Sequence, residues 1–391
     1  MQEQNDLHAG VTGTESALPW WRRDAEELLE LMAGRDSAFV YRLDVARKAA
    51  RRLHGLRSIS RVFYAIKAND HPALLGALAA AGCGFECVSW NEVRHVLENV
   101  PGVTEQDLLF TPNFAPRAEY EAALKSGVQL TVDNAWAVHN WPGLFAGKSL
   151  FLRLDLEAGY GHHKKVVTAG ADSKFGISLR DIDAVMESLS AQGATVTGLH
   201  THTGSGVTDV DVWREQLERF VSVLPKFPDA RVLDLGGGLG VPDRPGKAAL
   251  DLERFDELLE RTLGDVDVDL WLEPGRYLAS ECGVLLARVT QLKSKGDYNY
   301  LGIATGMNSL IRPALYGAYH HIVNLDRLEE EASMTYQVVG PICESGDIVG
   351  ADRMLPACKE GDVMLVTNAG AYGRVMSSSY NRRQPAEEIV I

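Results

Sequence analysis

Short runs of β-branched and aromatic residues alternate with longer segments of helical period from residue 61 onward. The first four runs are VFYAIKA (62–68), GFECVS (84–89), DLLFTP (107–112) and QLTVDN (129–134). Four more follow: SLFLRLDL (149–156), TVTGLHTHTG (195–204), VLDLGGG (232–238) and DLWLEPG (269–275). Between most of them lie amphipathic stretches such as PALLGALAAAG (72–82) and WNEVRHVLENV (90–100). Eight strands alternating with helices predict an α/β chain built on a (β/α)8 barrel. Spacing alone leaves a doubly wound open sheet as the rival. After Gly275 the rhythm changes. Runs at 283–292, 298–305, 334–340 and 362–370 have no long helix between them, which predicts a C-terminal all-β domain, a sandwich or small barrel. The expected division is a barrel over 37–279 and a second domain over 280–391.

Composition narrows the class. A chain of 391 residues is long enough for two domains, and 46% hydrophobic with 24% charged residues is the balance of a globular protein. A formal net charge of −14, with no large basic cluster, argues against nucleic acid and anionic membranes as partners. No apolar run approaches the roughly 20 residues of a membrane helix. The N-terminus has no basic segment leading into an apolar one, so no secretion signal is expected. Five cysteines without a CxxC pair fit a reducing cytoplasm. The opening residues, mixed and without period, read as a mobile lead-in or linker.

In barrels the chemistry gathers at the carboxyl ends of the strands. Here those ends carry Lys67, Glu86, Asn113, Arg153, His202, the run Gly236 to Gly238, and Glu273. Lys67 follows the apolar positions Phe63 and Ala65, so desolvation should depress its pKa and make the amine a nucleophile for a carbonyl. A lysine snorkelling out at a strand end is the plainer alternative. The run DLGGGLG (234–240) suits a phosphate beside a helix start, or else a tight turn. It lacks the dinucleotide spacing, and no P-loop motif occurs, so NAD and ATP do not fit. Glu273, in EPGR (273–276), could keep a pyridinium nitrogen protonated, or form a surface pair with Arg276. His200 and His202 share one strand face and could bind zinc. The flanking Gly204-Ser205-Gly206 looks instead like a phosphate-facing turn, and no aspartate or modified lysine completes a metal set; no metal is expected. His200 reads as a core histidine. Cys343 and Glu344 stand between a strand and a glycine turn in GPICESGD (340–347). The doublets His162–His163 and His320–His321 read as solvated loop residues, and Cys83 and Cys87 as small buried hydrophobes.

Seven segments in order then carry a resemblance: YAIKAN (64–69), HTHTGS (200–205), DLGGGLG (234–240), EPGR (273–276), RPALYGAYH (312–320), CESGD (343–347) and GAYG (370–373). From about residue 37 to its end, the chain resembles the fold-type III pyridoxal-phosphate decarboxylases, and most closely their diaminopimelate-specific branch. The resemblance implies pyridoxal 5′-phosphate as cofactor, with Lys67 as its Schiff-base lysine. His202 stacks on the ring, Ser205, Gly237 and Gly238 hold the phosphate, and Glu273 pairs with the ring nitrogen. Glu86 and Arg153 join this cofactor-binding set from their strand ends. Tyr372 lies beside the phosphate or substrate, and Arg276, Arg312 and Tyr316 grip substrate carboxylate. Cys343, as proton donor, and Glu344, toward the substrate, reach into a neighbouring subunit's site, so an obligate homodimer is expected. Residues 1–36 join the β domain.

The implied reaction turns meso-2,6-diaminopimelate into L-lysine and CO2, because Arg312 and Tyr316 suit a second carboxylate. Ornithine, arginine or D-lysine are the alternative substrates. A non-catalytic decarboxylase-like regulator would lack the lysine or the cysteine, and both are present. A racemase of the same fold would need a lysine and a tyrosine as paired bases, and the CES loop argues against it. Two departures stand out. Thr203 occupies a position more often aliphatic, and EAGYGHHKK (157–165) lacks the Asn-Pro-Gly piece common before SKFGI (173–177). The second departure is also what the decarboxylase half of a larger fusion would show.

Overall fold

In the computed structural model, which describes residues 18–156, 160–161 and 173–391, the barrel rhythm closes on itself. The first strand, β1 (Ser37–Tyr41), stands apart from it. The barrel strands are β2 (Ile59–Ala65), β3 (Gly84–Cys87), β4 (Leu108–Phe110), β5 (Gln129–Val132), β6 (Ser149–Asp155), β7 (Thr195–His200), β8 (Val232–Asp234) and β9 (Asp269–Leu272). Each pairs in parallel with the next, and β9 returns to β2, so the doubly wound alternative falls. Helices such as Trp90–Asn99 and Leu252–Leu263 cover the outside. The first is capped by the Ser89 hydroxyl, which accepts from Glu92 N, and the second by Asp251, which accepts from Arg254 N. Inside, Phe63, Leu109 and Phe151 from alternate strands meet in one layer, flanked by Trp271. Gly198, on the strand beside Phe151, makes the room: a Cβ there would lie 2.4 Å from the Phe151 ring. Large residues on alternate strands thus require small ones between them.

The second unit is a sheet. Its strands are β10 (Gly283–Lys295), β11 (Tyr298–Ile303), β12 (Ile322–Asn324), β13 (Met334–Val339), β14 (Ile348–Leu355), β15 (Val363–Val366) and β16 (Glu387–Val390). The hydrogen-bonded order is β12-β15-β10-β11-β13-β14, with β1 on β10 and β16 on β1. Residues 37–41, which the expected division gives to the barrel, therefore pair with the sheet, Ser37 opposite Ala287 and Ala38 opposite Glu387. Helix Ala25–Leu31 packs Leu28 against the sheet's Val40, Val284 and Leu365. β1, β12, β14 and β16 went unread from the sequence pattern. The opening 17 residues, the departure at 157–165 and the doublet His162–His163 lie outside the described residues, save Tyr160 and Gly161.

The sheet unit sits on the carboxyl-end face of the barrel. Tyr372 N donates to the Ala68 carbonyl at 2.7 Å, and Asn69 Nδ2 donates to the Gly370 carbonyl at 2.9 Å. Asn368 Nδ2 donates to the Pro242 carbonyl at 2.9 Å. These contacts bring residues 368–372 over the loops where the polar strand ends converge.

Candidate active site

Lys67 lies one residue into a 3-10 turn, Ile66–Ala68, that follows β2. Register places Ala65 opposite Glu86, so the carboxylate of β3 stands beside the turn, and Lys67 Nζ lies 2.6 Å from Glu86 Oε2. Burial works to lower the lysine pKa, but Glu86, then Glu273 and Tyr372, outweigh it. The ammonium is held well above its usual value, which corrects the expectation of a depressed one. Thr111 Oγ1 donates to the other Glu86 oxygen and fixes that carboxylate in turn.

Around this pair lies a cavity of about 360 Å³ lined by Lys67, Glu86, Asn113, Arg153, His202 and Glu273. One space thus gathers the strand-end residues named above except the glycines. Asp133, at the end of β5, organises one wall. It accepts from Asn113 Nδ2 and from Gly176 N (2.6 Å), and faces Arg153 Nε at 3.9 Å. Arg153 also lies over the Phe175 ring, 4.5 Å from its centroid.

On the opposite wall Glu273 follows β9. Its Oε2 is 3.2 Å from His200 Nε2, while Oε1 is buried with no hydrogen-bond partner among the described residues. Burial alone would raise this carboxyl; His200, then Lys67 and His202, hold it down at about 2. Asp234 ends β8 directly opposite His200 in register. Ligand atoms of His200, Asp234 and Glu273 all lie within 4.8 Å of one another. Burial, and then Glu273, push Asp234 well above the usual carboxylate range. Asp234 therefore keeps its proton and leaves the charge to Glu273. His200 is therefore buried, as a core histidine should be, yet works as part of the site. His202 does not extend this cluster. The strand ends at His200, and His202 Nδ1 accepts from Gly237 N at 3.1 Å. Burial, then Arg153 and Lys67, lower His202 to about 3, so its ring is neutral.

The glycine run is packed as well as polar. A Cβ on Gly237 would lie 2.4 Å from the Glu273 carbonyl oxygen, and one on Gly238, whose φ is +112, would lie 2.6 Å from the Gly204 carbonyl oxygen. Any side chain here would displace Glu273 or the 204–205 turn. Ser205 Oγ accepts from Arg276 Nε and Nη2 at 3.1 and 3.0 Å, and Arg276 stacks on the Tyr372 ring at 5.0 Å. Tyr372 itself has φ +57, a left-handed conformation held by its bond to Ala68.

A second cavity of about 310 Å³ is lined by Arg276, Arg312, Lys247, Asp243, Thr208 and Tyr319. Arg312 is buried there and Arg276 half-buried, and neither forms an ion pair with a described residue. Tyr316 ends the short helix that Arg312 begins. Cys343 and Glu344 line neither cavity. Both are exposed at a sheet loop, where Cys343 N donates to Asn381 Oδ1 (2.7 Å) and Tyr380 donates to Glu344 Oε1 (2.7 Å). The structure therefore brings the other sequence-named residues to one face of the barrel and leaves these two outside. Thr111, Asp133, Asp234 and His320 were missed. Asp133 and Asp234 both close strands, so the strand-end pattern already pointed to them. His320 is fully buried, which corrects its reading as a solvated loop residue.

These features fit pyridoxal phosphate. A buried carboxylate oxygen lacks a partner where a ring N–H would be held. A lysine stands across the same cavity from it. A glycine run and Ser205 supply close-packed backbone and a hydroxyl for a phosphate.

Comparison with known proteins agrees. Residues 43–280 match the family model of the pyridoxal-dependent decarboxylase, pyridoxal binding domain. The chain is 36% identical over 360 residues to the diaminopimelate decarboxylase of Methanothermobacter thermautotrophicus, covering 88% of this chain and 83% of the relative. It is 34% identical over 345 residues to that of Archaeoglobus fulgidus, covering 84% and 81%. The crystal structure of the Helicobacter pylori diaminopimelate decarboxylase complexed with L-lysine superposes with a TM-score of 0.85 at 25% identity, over 94% of this chain and 93% of that one.

Proposed function

Because the chain belongs to the pyridoxal-dependent decarboxylases, we propose that it converts meso-2,6-diaminopimelate to L-lysine and CO2, the last step of lysine biosynthesis. The observation that carries the substrate choice is the buried guanidinium of Arg312, beside the half-buried Arg276, with no carboxylate partner among the described residues. Buried charge without a partner is costly, so an anion from outside belongs there. Ornithine, arginine and D-lysine bring no second carboxylate to that cavity.

The bound pyridoxal ring supplies the electron sink that makes loss of CO2 from an α-carbon feasible. Lys67 offers the amine that anchors the cofactor and later releases the product. Glu273 Oε1 would hold the ring nitrogen's proton, and Asp234, keeping its own proton, leaves Glu273 its charge. His202 would stack on the ring, with Glu86 and Arg153 lining the same cavity, while Ser205, Gly237, Gly238 and Tyr372 would hold the phosphate. Arg276, Arg312 and Tyr316 orient the substrate by its carboxylates. The active unit is a homodimer: Cys343, delivering a proton to the α-carbon, and Glu344, receiving the substrate's far end, serve the other copy's site. Their exposure and their distance from their own chain's cavities support this. The barrel carries the cofactor, and the sheet unit, which takes in strand 37–41, carries the substrate's far end. Unpaired cysteines suit a reducing cytoplasm. Among the described residues no helix is long and apolar enough to cross a membrane.

The test is direct. The purified protein, supplied with pyridoxal phosphate and meso-diaminopimelate, should release L-lysine and CO2, and Lys67→Ala should abolish both the cofactor's absorbance band and the product. A band without lysine release would retain the cofactor and overturn the substrate.

A further inference from the structure

Arg312 is only 7% exposed, and its one hydrogen bond to a described residue runs from Nη1 to His320 Nε2, at 3.1 Å. His320 is 0% exposed, and its Nδ1 lies 2.8 Å from the Thr367 carbonyl oxygen. These two contacts determine the ring's protonation. A carbonyl only accepts, so Nδ1 carries the hydrogen. A guanidinium only donates, so Nε2 presents its lone pair. The imidazole is neutral and in a single tautomer. A second ring proton would face an N–H with an N–H and set one buried cation against another. Burial, then Arg312, push His320 down to about 3. Arg276 and Arg353 also face it with positive charge.

The arrangement joins two elements. Arg312 opens the short helix Arg312–Tyr316, and Thr367 directly follows β15. Arg276 works against Arg312: after burial, its charge is the next cause lowering Arg312, to about 10. A long side chain beside a like charge has every reason to swing away unless something accepts its hydrogen. His320 is that acceptor. We propose that His320 is a positioning residue, holding the Arg312 guanidinium at the second cavity so that its remaining donors receive a substrate's far carboxylate. This rests on the reading that Arg312 binds that carboxylate. A fixed neutral acceptor orients the guanidinium without neutralising it, as a carboxylate in the same place would.

The experiment compares two ligands that differ at the far end. Pimelate carries both terminal carboxylates and no amine to react; cadaverine, which is L-lysine without the carboxylate that remains after CO2 is lost, carries none. Calorimetric dissociation constants are measured on the cofactor-loaded wild-type protein and on His320→Leu and His320→Gln. Losing one hydrogen bond to a charged group predicts roughly tenfold weaker pimelate binding in His320→Leu. Cadaverine affinity, cofactor absorbance and melting temperature should hold, and His320→Gln, which restores an acceptor, should recover most of the loss. In turnover, KM for diaminopimelate should rise more than kcat falls. Equal weakening of both ligands would make His320 merely structural, and no weakening of either would overturn the proposal outright. If the wild-type protein itself takes cadaverine but not pimelate, the dicarboxylate reading fails first and this one with it. Should His320→Leu not fold, His320→Asn, whose shorter side chain falls short of Arg312, carries the same comparison.

Discussion

Lys67 shows what a strand pattern can and cannot tell about a titrating group. Its apolar neighbours along β2 are visible in the sequence and argue for a neutral amine. The carboxylate beside it comes from the next strand, through the Ala65–Glu86 register, which no local pattern encodes. Removing that carboxylate should release the pKa: in the cofactor-free protein, Glu86→Gln should make Lys67 react faster with an amine-modifying reagent near neutral pH. An unchanged pH profile for that reaction would show that Glu86 does not hold the charge. The Asp234–Glu273 pair has an opposite pH signature. Asp234 has a raised folded pKa, so its contribution is fully present below its unfolded value and lost as pH climbs toward the folded one. Glu273, held at about 2, contributes above its unfolded value and loses that progressively as pH falls from there toward its folded one. Between mild acid and neutrality Asp234 is therefore the residue that costs stability. Asp234→Asn keeps a neutral group in the same place, so its melting-temperature advantage over the wild type should widen as pH rises from about 4 toward 7. An advantage independent of pH would place the proton elsewhere.

At the scale of elements, the barrel strands were legible because each is a short apolar run closed by a polar residue and followed by a helix. The sheet was half legible. β14 has a broken pattern with bulges against β13, and β12 and β16 are too short to show a period. β1 is a buried strand, and the sequence cannot say which sheet takes it, because its partners lie some 250 and 350 residues further on. The loop carrying Cys343 and Glu344 has an anchor that the motif contains without revealing. Asp347 is buried and accepts from Met307 N at 2.6 Å and Ile342 N at 2.8 Å. Gly306 and Gly340 pack so tightly on it that a Cβ on either would come within about 2.5 Å of its oxygens. Asp347→Ala leaves two backbone donors without their acceptor, a cost of roughly 1–3 kcal/mol each where they are buried. Chemical denaturation should register that loss, and Cys343 should become faster to label with a thiol reagent as its loop loosens. Labelling at the wild-type rate would mean that the loop is held by Asn381 and Tyr380 alone.

For the whole molecule, the question is why a chain that gathers so much of its chemistry at one barrel face leaves a thiol and a carboxylate outside it. The barrel mouth also keeps Phe114, beside Asn113, 68% exposed with φ +51, an aromatic in a strained conformation facing solvent in the single chain. A second copy laid across this face would cover Phe114 and bring in Cys343 and Glu344, as the proposed homodimer requires. The sequence named Cys343 and Glu344 only through family resemblance, since an assembly between copies leaves no period or spacing to read. Two inactive variants can decide it. Lys67→Ala destroys the cofactor anchor, and Cys343→Ala removes the proposed proton donor, slowing turnover by about 10²–10⁴-fold. Each chain of a mixed dimer then keeps what the other lacks, and one of its two sites combines a native Lys67 with a native Cys343. If the residues act across the interface, unfolding the two variants together and refolding them as a mixture should recover a clear fraction of wild-type activity. Separately refolded variants, combined without exchange of chains, should stay inactive. If Cys343 acts within its own chain, every site in the mixture is defective in one residue or the other, and no activity returns.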